Sequence, residues 1–132
     1  MINRRAFNWG AFMGAGAVTM LSSEAAQAAS QPVTSLLVLY PNHEGARFDF
    51  DYYRNTHIPM AMKVMKADKV TLTEGLPGRD AAPPPFVMIC HFQFASPEAL
   101  AAANAKPEMA DVRADVAKVT DIKPIVMVGK TA

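Results

Sequence analysis

The sequence lacks most of the residues on which disulfide, metal and nucleic-acid sites depend. Cys90 is the only cysteine, so no disulfide can form within the chain. Three widely spaced histidines do not make a zinc motif, and there is no glycine-rich phosphate loop or nucleophile elbow. The formal net charge is only +1 and no basic stripe occurs, so nucleic acid is not an expected partner.

Residues 1–28 differ in character from the rest of the chain. The pair Arg4-Arg5 precedes a weakly apolar stretch at 9–21, and Ala26-Gln27-Ala28 supplies a small-x-small cleavage pattern. This order resembles a twin-arginine (Tat) export signal, with cleavage expected before Ala29. The alternative is an uncleaved membrane anchor, which the glycine and alanine content disfavours. We therefore expect a periplasmic protein that is free of the membrane after cleavage.

Residues 29–132 are expected to form one domain of the α+β class. Hydrophobic patterning predicts strands at 33–41, 69–75, 86–94 and 122–129. One helix is predicted over 50–66 with Asp49 as its N-cap, and a second begins at Ser96 and is interrupted near Pro107. The resulting order βαββαβ is that of a ferredoxin-like fold.

A ferredoxin-like sheet carries its helices on one face and leaves the other face bare. The first and third predicted strands are nevertheless apolar at consecutive positions, so both of their faces require burial. A homodimer in which two sheets face each other would satisfy this requirement. A ligand on the bare face is the other solution. Because a dimer would also enclose a cavity between sheets and helices, the sequence predicts an obligate homodimer, with a small, largely apolar organic molecule as the expected ligand.

The stretch DYYRNTHIP, residues 51–59, holds the main candidate for chemistry, His57. At about 100° per residue, Tyr53, His57, Met60 and Val64 fall on one inward face of the predicted helix. Histidine titrates near neutral pH, so His57 is a candidate general base with Tyr53 beside it. The alternative is a core histidine that is hydrogen-bonded to a neighbouring hydroxyl.

Pro59 follows two residues after His57 and is expected to disturb the helix. A proline cannot donate to the carbonyl of Asn55 and biases Ile58 away from helical angles. We therefore expect the helix to kink or restart there, which would turn His57 towards the cavity and leave the Asn55 carbonyl unpaired.

Further candidates for ligand contact come from the helix and from two strands. On the third strand, His91 and Gln93 share one face, and this face is more polar than the one that carries Cys90. We take it as the cavity face; for His91, the alternatives are partial exposure or a hydrogen bond in the core. The predicted ligand-binding set is Tyr40, Met60, Val64, His91 and Gln93. For the tyrosine and for Met60, ordinary packing at a rim or in the core is the alternative.

Two segments resemble the EthD domain family: YYRNTHIP at 52–59, and GLPG at 75–78 followed by three prolines. The resemblance extends over about residues 34–129. It implies a dimeric α+β barrel, a family motif that includes Tyr53, His57 and Pro59, and a position for His57 on the cavity wall. Members of the family are associated with oxidative catabolism, and some relatives resemble cofactor-free decarboxylases or dehydratases.

Three functions agree with these observations. The first is a cofactor-independent oxidoreductase or lyase that acts on a small apolar molecule with His57 as base and Tyr53 or His91 orienting the substrate. The second is a periplasmic binding protein that performs no chemistry. The third is a haem-binding barrel, which no further haem signature supports.

Overall fold

Four strands and two helical segments follow one another along the chain in the predicted order βαββαβ. The structure, a computed structural model, describes residues 33–131, so the predicted signal lies outside the described residues. The elements are β1 (Thr34–Pro41), α1 (Phe50–Tyr52), a π-helical turn (Tyr53–His57), α2 (Ile58–Met65), β2 (Lys69–Glu74), β3 (Phe86–Phe94), α3 (Pro97–Asn104), α4 (Met109–Val119) and β4 (Ile125–Lys130). No helix among these residues is long and apolar enough to cross a membrane.

The four strands form one antiparallel sheet in the order β2-β3-β1-β4. Leu37, near the centre of β1, pairs with His91 of β3 on one side and with Met127 of β4 on the other. This topology and the helices packed on the sheet confirm the predicted α+β, ferredoxin-like fold.

The two faces of the sheet differ in burial. The helix-covered face contributes the core, and its buried side chains are Leu36, Tyr40, Met88, Cys90, Phe92 and Phe94. Because side chains alternate along a strand, Leu37, Leu39 and Ile89 project from the opposite, outer face, where they are half-buried. On the edge strand β4, Ile125 and Met127 are 54% and 53% exposed. The outer face is therefore partly apolar, and no element of the described chain covers it.

The predicted helix starts are confirmed by their capping bonds. The Asp49 carboxylate accepts a hydrogen bond of 3.0 Å from the backbone N–H of Tyr52. The Ser96 hydroxyl accepts one of 3.1 Å from Ala99, with Pro97 in the first turn, where a missing N–H does no harm. The last strand begins later than predicted. It starts at Ile125 rather than at residue 122, so Pro124 lies outside the ladder.

Candidate functional site

A π-helical turn, rather than a kink, brings His57 to its position. The backbone N–H of Ile58 donates to the carbonyl of Tyr53, five residues back, and Ile58 keeps helical angles of φ −64° and ψ −44°. The expectation that Pro59 displaces Ile58 from the helix is therefore wrong. The proline lies in the first turn of α2, directly after the wide turn. A wider turn gives the ring room and requires fewer donors, which explains why the helix continues.

The π turn also shifts α2 relative to a helical wheel that is drawn from Tyr53, because it adds one residue between Tyr53 and α2. Ala61 and Met65, four and eight residues after His57, line the cleft beside it. Met60 and Val64, which were predicted to share this face, are instead half-buried and pack against the core. A regular helical wheel cannot show this shift, because it assumes a constant rotation per residue.

His57 is paired with a carboxylate that the sequence analysis did not single out. Its Nδ1 lies 2.9 Å from Oδ2 of Asp115, and the two side chains are 6% and 8% exposed. The Tyr52 hydroxyl donates to Oδ1 of Asp115 at 2.8 Å, and Lys118 Nζ lies 3.6 Å from the same oxygen. Burial alone would raise the pKa of Asp115, but the hydrogen bonds from His57 and Tyr52 outweigh it and lower that pKa.

Asp115 was missed because it lies 58 residues from His57 in the chain. An aspartate on an amphipathic helix is most often solvated, and no local motif marks this one. A signal was nonetheless present in α4. Asp115 is three residues after Val112 and four before Val119, so it falls within the buried stripe of that helix. A charge inside an apolar stripe indicates a buried partner.

Two buried tyrosines support His57 from behind. The ring of Tyr53 stacks on His57, with centroids 5.3 Å apart and planes at 15°. Tyr40 meets Tyr53 edge to face at 5.7 Å. Burial raises the pKa of Tyr40 to about 12, and it raises the pKa of Tyr53 as well. Both phenols are thus neutral near physiological pH, and of the two only Tyr40 reaches the cleft.

An open cleft of about 560 Å³ lies between the helices and the sheet. The helices contribute His57, Ala61, Met65, Asn104, Met109, Val112, Arg113 and Val116, and the strands with the segment before β4 contribute Leu36, Val38, Tyr40, Phe92, Lys123, Pro124, Val126 and Val128. The lining is mostly apolar, and its volume lies within the range of small-molecule sites. Because Asp115 occupies Nδ1, Nε2 is the ring nitrogen of His57 that remains for another partner.

His91 and Gln93 do not join this site. The helix-covered face of β3 carries Met88, Cys90 and Phe92, so strand alternation places His91 and Gln93 on the outer face. There Nε2 of His91 lies 2.7 Å from the hydroxyl of Ser35. The structure therefore separates both residues from His57. The helices cover the wholly apolar face because it removes more apolar surface from water.

No cluster of three or more potential metal ligands of the His, Cys, Asp or Glu type occurs between residues 33 and 131. Cys90 is buried in the core, and burial raises the pKa of its thiol to about 12. Among the residues that line the cleft, His57 is the candidate for acid–base chemistry, and Asp115 and Tyr52 extend its hydrogen bonds.

Comparison with protein families matches the EthD domain over residues 44–123, which is more than half of the chain. The chain belongs to the EthD domain family. The EthD match includes His57 and Asp115 and ends before β4. The family resemblance inferred from the sequence is thereby confirmed. A search of curated proteins finds no match.

Solved structures agree with the EthD assignment. An EthD-like protein from Ralstonia eutropha JMP134 is 36% identical with a TM-score of 0.69, and the alignment covers 75% of this chain and 91% of that one. An ethyl tert-butyl ether d (EthD) family protein from Bacillus halodurans C-125 is 23% identical, with a TM-score of 0.58 and coverage of 76% and 99%. A protein from Arabidopsis thaliana is 17% identical, with a TM-score of 0.55 and coverage of 76% and 95%. The last two comparisons concern the fold alone.

Proposed function

We propose that this EthD protein binds a small, largely apolar organic molecule in the cleft and catalyses a proton transfer on it, with His57 as the base. The observation that carries the proposal is the His57–Asp115 pair. A buried histidine, fixed through one nitrogen by a carboxylate at the wall of an apolar cleft, is the arrangement expected of a general base.

The proposed chemistry uses both nitrogens of the His57 ring. Nδ1–H donates to Asp115, which fixes the ring orientation and the tautomer. Nε2 takes a proton from an acidic C–H or O–H group of the ligand, and the Asp115 carboxylate stabilises the imidazolium that forms. The ring then returns the proton to another ligand atom or to a leaving group, as a lyase of the dehydratase type would require. Tyr53, which stacks behind the ring, acts in this scheme as a positioning residue.

Substitution of His57 tests this role. We expect His57→Gln to lower turnover about 10²- to 10⁴-fold, the usual contribution of a positioned base. His91→Gln, on the outer face, is the matched control and should leave turnover unchanged. Substrates are chosen from molecules that native mass spectrometry finds on the purified protein. Full turnover by His57→Gln would contradict the proposal.

A carrier without chemistry is the second candidate function. The lining of the cleft favours this role in one respect, because His57 is the one candidate base among the lining residues and most of the others are apolar. A ligand that is recovered unchanged after long incubation with saturated protein would support this role over catalysis.

Haem binding is a third candidate. The cleft would offer haem an apolar lining and one ligand, Nε2 of His57. A Soret band that appears with haem in the native protein and is lost in His57→Gln would support this role, and its absence would exclude it.

We also propose that the protein is a homodimer whose copies cover each other's outer face. The half-buried Leu37 and the exposed Met127 it pairs with lie on that face. Leu37→Lys should shift the protein to monomers in light scattering, because the charge would be buried in the interface. Leu76→Lys is the control, since Leu76 is 73% exposed in the loop between β2 and β3. A wild-type monomer at micromolar concentration would contradict the proposal.

Export through the Tat route remains a proposal that rests on the sequence of residues 1–28. Replacing Arg4 and Arg5 together by lysine should retain the full-length chain in the cytoplasm, because the pathway reads the arginine pair. Fractionation of cells measures this outcome. Unchanged delivery to the periplasm would contradict a Tat route.

A further inference from the structure

Two cationic side chains border the cleft, and no carboxylate is among the residues that line it. Arg113 projects from α4, one residue after Val112, and Lys123 lies in the segment before β4, next to Pro124. Both are exposed, although both contribute to the cleft lining. The mouth of the cleft therefore has a positive charge, while the chain as a whole is nearly neutral.

These two cations differ from several others in the described part of the chain by having no internal partner. Arg54 pairs with Glu74, Lys118 pairs with Asp115, and Lys106 donates to the Val64 carbonyl. Within residues 33–131, neither Arg113 nor Lys123 lies within 4.0 Å of a carboxylate oxygen. Asp115 does not neutralise the cleft mouth, because its two oxygens are already hydrogen-bonded to His57 and Tyr52 and paired with Lys118.

We infer that the ligand is an organic carboxylate with an apolar body. Its carboxylate would lie at the mouth between Arg113 and Lys123, and its body would extend along Val112 and Val116 towards His57. This inference rests on the proposed function and specifies the ligand class of the same cleft. A guanidinium group suits a carboxylate because its planar donors can bind both oxygens. The apolar lining would provide no compensation for a second charge on the body.

The inference is tested with two probes of the same shape, 2-naphthoate and 2-naphthamide, which differ in charge. Calorimetry on the native protein measures both dissociation constants, and NMR of the His57 ring reports occupancy of the cleft. We expect naphthoate to bind about ten-fold more tightly than naphthamide at low salt. The preference should shrink at ~1 M salt, because both cations are exposed to screening.

Charge-neutral variants separate the two cations from general effects. The double variant Arg113→Gln/Lys123→Gln should bind naphthoate and naphthamide equally, with the naphthamide constant changed by no more than about two-fold. Arg79→Gln is the control. Arg79 is exposed in the loop between β2 and β3, is not among the cleft-lining residues, and should leave the preference for naphthoate intact.

Three other outcomes would overturn the carboxylate inference, and a fourth would contradict the cleft function as well. Equal binding of the two probes by the native protein, with movement of the His57 signals, would overturn the carboxylate inference and leave the proposed cleft function standing. A preference that survives in the double variant, or naphthoate binding that leaves the His57 signals unmoved, would also overturn it. Failure of both probes to bind at millimolar concentration would contradict the cleft function itself and the inference with it.

Discussion

Two histidines on opposite sides of the same sheet show how the partner of a ring determines what the ring can do. His57 faces the sheet from the helical layer, is buried, and is hydrogen-bonded to the carboxylate of Asp115. His91 projects from the outer face, is half-buried, and is hydrogen-bonded to the hydroxyl of Ser35. A carboxylate stabilises a positive charge on its histidine, whereas a neutral hydroxyl does so only weakly. Of these two histidines, only His57 therefore has a partner suited to acid–base catalysis.

The first and largest expected difference is in stability. Asp115→Ala removes the partner of His57 and of Tyr52 together, so buried polar groups lose their hydrogen bonds. We expect the free energy of unfolding to fall by about 3 kcal/mol. Urea denaturation followed by circular dichroism measures the change. A loss below about 1 kcal/mol would show that the pair is not held as the structure describes.

The second expectation concerns acid pH. Because the pKa of Asp115 is lowered in the folded protein, its contribution to stability is present above about pH 4 and is lost as the pH falls through the folded pKa. The melting temperature should therefore decline below about pH 4, and the decline should be shallower in Asp115→Asn. Identical slopes in the two proteins would assign the acid sensitivity to other carboxyl groups.

A third, smaller effect is expected from Tyr52→Phe. This change removes one of the hydrogen bonds to Asp115 and leaves the ring in place. The free energy of unfolding should fall by about 1 kcal/mol. In a double-mutant cycle with Asp115→Asn, the two changes should be non-additive, because the groups are in direct contact. Strict additivity would argue against the contact.

The smallest effect is expected on the outer face. Ser35→Ala removes the partner of His91 without disturbing the cleft, and we expect a loss of about 0.5 to 1 kcal/mol. Ligand affinity in the cleft should stay unchanged, which makes this variant the counterpart of Asp115→Ala. A larger loss of stability or of ligand affinity would contradict the separation of the two histidines.

Much of the fold could be predicted from the sequence, because its signals are local. Strand patterns and the caps at Asp49 and Ser96 were sufficient for the order βαββαβ. The face of β3 was harder to assign, because apolar residues occupy both of its faces and alternation alone does not say which one the helices cover. The helices cover the face that carries Cys90, so the prediction that His91 shares a cavity with His57 was wrong.

The site was less predictable, because it depends on long-range and non-ideal features. The π turn at Tyr53–His57 departs from the regular rotation on which a helical wheel depends, so Ala61 and Met65 took the places expected for Met60 and Val64. Asp115 reaches His57 only through the packing of α4 against the first helical segment. Neither feature has a signature in the residues that immediately surround His57.

The most direct test of the account is the protonation and ligand response of the His57 ring. Long-range ¹H–¹⁵N NMR on the neutral imidazole distinguishes its two nitrogens. The account predicts a proton on Nδ1, donated to Asp115, and a bare Nε2 whose signal moves when 2-naphthoate is added. A proton on Nε2, or an Nε2 signal that is indifferent to added ligand, would contradict the assignment of His57 as the base in the cleft.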